Sequence, residues 1–199
     1  MTRARERNGG SSFSNTSRSR GYFQLPLFKH ELKQFIARVN LLTQAMPELE
    51  LPVFDEAAIQ RSLARAFDGL TLAKEAQATP LHDAFRPHLP REQLAWIDEM
   101  APLVIPWPDG RKVKLLYPEH AGDKSGPANP PEVQVKLHEC FSLQHHPKIC
   151  EGRLSVQLWL SGPDGKRLEA TSDWLAFKRS SYPKLRANLQ RKYPGVPWL

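Results

Sequence analysis

From Leu25 to Pro102 the apolar residues recur every three or four positions, the period of a helix with one buried face. Phe28, Leu32, Phe35, Ile36, Val39 and Leu42 share one such face. Pro47 and Pro52 end it, because proline has no N–H to extend the ladder. Asp55 then stands where an N-cap belongs, with Glu56 and two alanines behind it. Ile59, Leu63, Phe67 and Leu70 make the next stripe, and Gly69 its stop. Thr79-Pro80 opens a short helix with Leu81, Ala84 and Phe85, and Pro90 opens another with Leu94, Ile97 and Ala101. Stripes of this kind must be buried on each other or on a partner.

After Pro102 the pattern changes. "LVIPWPDGRKVKLLYPE" places a Pro-Asp-Gly turn between short β-prone runs. "GDKSGPANPP" has loop composition. Pro131 is expected to open a helix, since Val133, Leu137, Cys140 and Phe141 fall at helical spacing. "RLSVQLWLS" alternates, with Leu154, Val156, Leu158 and Leu160 on one side and Ser155, Gln157 and Trp159 on the other. "GPDG" turns the chain and "KRLEATS" returns as the partner strand of a hairpin. Ser172 is placed to cap the next helix: "DWLAFKRSS" and "KLRANLQRKY" are helical, with Pro183 between them. The fold class is therefore α+β. A helical bundle segment over residues 22–102 precedes a small α/β unit over 103–199, which has a β-hairpin and two to three helices.

Composition adds a third region. Residues 1–21 are Arg, Ser, Asn and Gly with a single Phe, too polar to offset their ordering entropy, and are expected to be a disordered basic arm. The net charge of +7 is uneven. Residues 1–20 hold five Arg and one Glu, residues 21–102 hold 8 cations and 11 anions, and residues 103–199 hold 15 cations and 9 anions. A basic C-terminal part is either scattered solvated charge or the footprint of an anionic partner such as nucleic acid. No run approaches the length of a membrane span, so no membrane partner is expected. Two cysteines are too few for a disulfide framework, and the default compartment is a reducing cytoplasm.

Motifs for chemistry are missing. There is no G-x-x-x-x-G-K-[ST], and "DGKR" at 164–167 sits in a hairpin turn without the upstream glycine. "DEAA" at 55–58 spells a helicase acidic box without the preceding buried strand. Neither a G-x-S-x-G elbow nor an H-E-x-x-H is present. The chain is expected to be no enzyme by itself and to take no cofactor.

"HECFSLQHHPKIC" (138–150) concentrates both cysteines and three of the seven histidines. On a helix His138 and Cys140 would diverge by about 200°, too far to share a metal. His145, His146 and Cys150 lack zinc-site spacing. Cys140 reads as a small buried apolar residue.

The richest basic feature is C-terminal. Lys178, Arg179, Lys184, Arg186, Arg191 and Lys192 are six cations with no acid between them, interleaved with Tyr182, Tyr193 and Trp198. Cations beside aromatics suit phosphates and stacked bases. Alternatively the cations are a solvated face and the aromatics finish the core.

Several strings taken in order resemble one family, the HrpB-type ATP-dependent helicases, bacterial relatives of the DEAH RNA helicases. "PDGRKVKLLY" is similar to that family's Pro-x-Gly-x-Arg strand, and "NPPEVQVKLHECF" to its Pro-x-Leu-x-Val-(Arg/Lys)-(Leu/Met)-Gln-Glu-x-Phe helix. "GRLSVQLWLSGPDGKRLEATSDWLAF" resembles its hairpin, and "YPKLRANLQRKYPGVPW" its Tyr-x-x-Val-Arg … Arg-Tyr-Pro-Lys-His-Pro-Trp end. "FIARVNLLTQAMPELELP" and "LPREQLAWIDEMAP" match the segment just upstream. Lys178 replaces a family Trp, Gly195-Val196 replaces Lys-His, and the pattern does not ask for Cys140 or His145-His146.

The resemblance implies the tail of such a helicase: a separated gene piece, a truncated frame or an excised domain. The family's RecA-like motors and winged helix have no counterpart in this sequence. The implied role is a non-motor accessory domain with helicase motor domains as partners, in cis or in trans, and RNA contact through the six cations. The alternative is a free-standing protein-interaction module without nucleic-acid binding.

Overall fold

A computed structural model of the chain describes residues 29–66, 85, 89–119 and 129–199. The basic arm, the stop at Gly69, the start of the helix expected at Thr79 and most of the "GDKSGPANPP" loop lie outside the described residues.

The first helix, α1 (His30–Ala45), follows the expected stripe but buries far more than one face. Leu32, Phe35, Ile36, Ala37, Val39, Leu41 and Leu42 are all buried, and so are Gln34 and Arg38. Pro47 stops it, and the Met46 N–H closes the last turn on Leu42 O at 2.8 Å. A helix surrounded by protein needs partners for its polar side chains. Gln34 meets the backbone of Tyr117 as a strand would: Nε2 donates to Tyr117 O at 2.9 Å, and Tyr117 N–H donates to Oε1 at 2.8 Å. Asn40 holds Phe54 the same way, at 3.1 and 2.8 Å. Arg38 donates to Ala101 O at 2.6 Å, Ile97 O at 3.0 Å and Asp98 Oδ1 at 2.6 Å. The bonds of Gln34 and Arg38 lock α1 to segments some sixty to eighty positions along.

Helix α2 (Glu56–Ala66) starts at Asp55, whose Oδ1 accepts from Ala58 N–H at 2.8 Å, the expected cap. Helix α3 (Arg91–Met100) begins after Pro90 and turns Ile97 inward. Strands β1 (Val104–Pro106) and β2 (Lys112–Lys114) pair antiparallel across the Pro-Asp-Gly turn, where Gly110 holds φ +85.

The helix expected from Pro131 is not there. Residues Glu132–Lys136 form strand β3, and only one 3₁₀ turn, Leu137–Cys140, comes after it. Val133 and Val135 are buried while Gln134 and Lys136 are exposed, so the true period is two. Two β-branched residues in alternation favour extended backbone, and Val133 and Leu137 satisfy both periods. What decides is a distant partner. β3 runs parallel to β6 (Gln157–Ser161), with Val133 opposite Leu158 and Val135 opposite Leu160. Cys140 is buried as expected.

The alternating run "RLSVQLWLS" is split at Val156. Its first part, β5 (Leu154–Ser155), pairs with β4 (Lys148–Ile149) across a turn of positive-φ residues Cys150, Glu151 and Gly152. Its second part, β6, lies at the centre of a three-stranded sheet ordered β3-β6-β7, with β7 (Arg167–Thr171) antiparallel to it. The expected "GPDG" hairpin turn joins β6 to β7, Gly165 taking φ +78.

Helices α4 (Trp174–Ser180) and α5 (Tyr182–Lys192) close the chain. The cap of α4 is Asp173 rather than Ser172: its Oδ1 accepts from Ala176 N–H at 3.0 Å. A carboxylate is the stronger acceptor at a helix start, and it also complements the dipole. Pro183 sits in the first turn of α5. Trp174, Phe177, Tyr182, Leu189 and Trp198 face the core, where Phe141 meets Tyr182 edge-on at 5.0 Å. The architecture is thus α+β, as the periodicities indicate. Among the described residues no helix is long and apolar enough to cross a membrane.

Candidate nucleic-acid interface

All six C-terminal cations are exposed. They do not form one stripe. On α5, Lys184 and Arg191 lie about 20° apart around the axis and point away from Leu189 and Tyr182. Arg186 and Lys192 flank the buried side, at about 200° and 80° from Lys184. Arg186 bonds to Trp198 O at 3.3 Å. Lys192 lies 3.6 Å from Asp164 and 4.7 Å from the centre of the Tyr193 ring. The Tyr193 hydroxyl and Asp164 both favour its charged form and hold the ammonium above its ordinary value. Arg191 donates to Asn188 at 2.8 Å. On α4, Lys178 sits 5.9 Å from the centre of the Trp174 ring. Arg179 and Lys184 have no ion-pair or ring partner among the described residues. Lys184 and Arg191 therefore make the freest cationic face, and Arg186 and Lys192 are partly committed to the fold.

The interleaved aromatics belong to the core. Tyr182 and Trp198 are each 6% exposed, and Trp198 Nε1 donates to Tyr193 O at 3.1 Å. Base stacking on them would require unpacking the domain.

The stretch 138–150 is structural. Trp174 N–H donates to His146 Nδ1 at 3.0 Å, so the ring proton is on Nε2 and is donated to Val156 O at 2.7 Å. Both nitrogens are in use, and the ring ties the start of α4 to the break between β5 and β6. Burial lowers the His146 pKa, which keeps this neutral form. The two thiols are free. Burial pushes Cys140 up to about 12 and Cys150 up to about 11, leaving neither as a thiolate near neutrality. Among the described residues no group of three or more His, Cys, Asp or Glu is arranged to hold a metal.

A second basic surface is not evident from the sequence. Lys136 and Arg167 sit on the outer face of the three-stranded sheet, with Arg111 at its margin, around a cleft of about 360 Å³ that also contains Trp159. Its one sequence signal is the alternation that puts Trp159 opposite the core-facing leucines. The helical spacing around β3, which brings Lys136, hides the rest. Elsewhere, a groove of about 340 Å³ runs between α1 and α3, lined by Phe35, Leu94, Ile97 and Leu103.

Comparison with known proteins gives one consistent result. A family model described as ATP-dependent helicase C-terminal matches residues 63–199. The ATP-dependent RNA helicase HrpB of Escherichia coli K12 is 24% identical over 172 residues, which is 84% of this chain and 20% of that protein. A crystal structure of the E. coli DExH-box NTPase HrpB superposes with a TM-score of 0.73 at 23% identity, covering 86% of this chain and 21% of that one. A second, of the E. coli DEAH/RHA helicase HrpB, gives 0.64 at 23% identity over the same shares. The chain thus spans about a fifth of the length of the relatives it matches.

Proposed function

The chain belongs to the family of ATP-dependent helicase C-terminal domains, and on that premise we propose that it is a non-motor accessory domain of an RNA helicase. It packs on helicase motor domains, in cis or in trans, acts in the cytoplasm, and contacts RNA through Lys178, Arg179, Lys184, Arg186, Arg191 and Lys192. The observation that carries the reading is the family match across residues 63–199, which takes in both terminal helices. Support for the RNA contact is physical. Six cations stand exposed on two consecutive helices, and Lys184 and Arg191 project together from a face with no competing acid on α5.

Salt titration of RNA binding tests it. If four of the six cations meet phosphates, log K falls against log salt with a slope of about −3 for a single strand. A flat dependence, or no binding at low salt, ends the RNA part. The isolated chain is expected to hydrolyse no ATP, and measured turnover would overturn the accessory reading.

A second reading, a protein-interaction module without nucleic-acid binding, draws on the groove between α1 and α3. Leu103 and Val104 are exposed there or beside it, at 43% and 42%. Apolar residues in that setting suit a protein surface. Both readings expect a purified HrpB-type motor fragment to retain this chain on a column. RNA binding separates them.

A further inference from the structure

The outer face of the β3-β6-β7 sheet is built differently from the helix cations. Alternation sends Val133, Val135, Leu158 and Leu160 into the core. The same alternation leaves Gln134, Lys136, Trp159 and Ser161 on the other side. Register then sets neighbours: Gln134 lies opposite Trp159, Lys136 opposite Ser161, and Ser161 opposite Arg167. The Arg167 guanidinium lies over the Trp159 ring, 4.1 Å from its centre. Trp159 is half-buried on the central strand, hydrogen-bonded on both sides, so the ring is a fixed platform. Its Nε1 is buried and has no hydrogen-bond partner among the described residues.

Arg111 forms the wall of the cleft. It is held 2.9 Å from Asp109 and 2.5 Å from Glu139, whose backbone carbonyl accepts from Trp107 Nε1 at 3.2 Å. Burial would raise the Glu139 carboxyl, but the Arg111 guanidinium outweighs it and the group stays ionised. The acids of the cleft are thus spent on Arg111. Lys136 and Arg167 have no acidic partner among the described residues and leave positive charge beside an aromatic face.

From this arrangement we infer that the cleft binds single-stranded nucleic acid. One base stacks on the Arg167–Trp159 pair and an adjoining phosphate meets Lys136. A planar, anionic ligand fits each element: the ring and the guanidinium plane take the base, and the uncompensated Lys136 takes the backbone. A volume of about 360 Å³ lies at the small end of ligand clefts. It suits an unpaired nucleotide, whereas a duplex keeps its bases inside. The site stands apart from the helix-cation reading, which relies on charge alone.

The test uses the full chain, a short fluorescein-labelled oligoadenylate, the same oligomer without bases, and anisotropy at low salt. Trp159→Ala is expected to weaken oligoadenylate binding roughly tenfold or more. Trp159→Phe is expected to retain most of the affinity, and the baseless oligomer to bind the parent and Trp159→Ala alike. Arg167→Glu, on an exposed edge-strand residue, repeats the loss without touching the core, and urea midpoints confirm folding. Lys184→Ala with Arg191→Ala should flatten the salt slope and leave the preference for bases intact. The proposal falls if Trp159→Ala and Arg167→Glu bind like the parent, even where the helix variants weaken binding. It falls equally if the parent binds no oligomer at low salt, which leaves the cleft to a protein partner. If the sheet variants lose binding and the helix variants do not, the cleft stands and the helix cations fail.

Discussion

Helices α1 and α5 both carry positive charge, and they dispose of it in opposite ways. α1 encloses Arg38 at 4% exposure against two carbonyls and a carboxylate. α5 holds four cations in solvent and buries only Tyr182 and Leu189. By sequence the two look alike, each an amphipathic run with basic residues between apolar ones. The difference is what surrounds them. α1 is enclosed by α3, the segment around Phe54 and the backbone of Tyr117, so its polar side chains act as internal struts. α5 lies on the outside, and Lys184 and Arg191 are left to meet something else, while Arg186 and Lys192 are partly held by Trp198 O and Asp164. A cation becomes a candidate for binding only once burial has been settled. The same holds for aromatics: Tyr182 and Trp198 finish the core, while Trp159, in a plain strand, faces an open cleft.

The largest effects belong to α1. Leu42→Ala empties a fully buried position and should cost about 2–5 kcal/mol. Leu185→Ala, at a half-buried position of α5, should cost roughly half of that or less. Urea denaturation of both variants measures the gap, and equal losses would break the contrast between enclosed and outer helix. Next comes Arg38→Met, which removes the bonds to Ala101 O, Ile97 O and Asp98 while filling similar space. We expect a loss of roughly 2–3 kcal/mol, because carbonyls left in the core lose a charged donor. A loss within about 0.5 kcal/mol would make Arg38 an ordinary surface cation.

Much of this organisation is legible in the sequence, and the illegible part has a physical cause. The stripe of α1, the cap at Asp55, the turn at Gly110 and the hairpin around Gly165 are set by neighbours within a few residues. They can be read from spacing and turn chemistry. β3 cannot, because its hydrogen-bond partner β6 lies some twenty-five residues away and its apolar positions fit two periods. The division of "RLSVQLWLS" into β5 and β6 depends on His146 taking Val156 O, which no local pattern reports. The six cations stand out at once because charge is visible residue by residue. The cleft does not, since it exists only when two strands and the Arg111 turn come together.

His146 sharpens the comparison in another way. Arg38 anchors α1 largely on backbone carbonyls, Ala101 O and Ile97 O, which do not titrate. The start of α4, against which α5 packs, is anchored by a neutral imidazole. Its pKa is lowered from 6.5, mainly by burial, so the unfolded chain takes up the proton more readily than the folded one. The stability it contributes is therefore complete above 6.5 and is lost as pH falls through the lowered folded value. Protonated Nδ1 would face the Trp174 N–H donor. Hydrogen exchange should then show α4 and α5 opening before α1 as pH falls below the imidazole range. His146→Ala should cost about 1–2 kcal/mol near neutrality, and His146→Gln should flatten the acid limb. Uniform opening of all helices would remove the distinction.

The smallest effect on stability is the most informative about function. Lys184→Ala with Arg191→Ala changes the freest cations of α5 and touches no buried group. The melting and urea curves should stay within about 0.5 kcal/mol of the parent. Removing one phosphate neighbour from a bound single strand reduces the salt slope by about 0.7, so the pair should reduce it by about 1.4. A changed slope at unchanged stability would mark a surface used for binding, the counterpart of Arg38, whose loss changes stability and leaves the slope alone. An unchanged slope would instead reduce Lys184 and Arg191 to the solvated outer face of a helix that buries Leu189 and Tyr182. The sheet cleft would then be the basic surface that remains for an anionic partner.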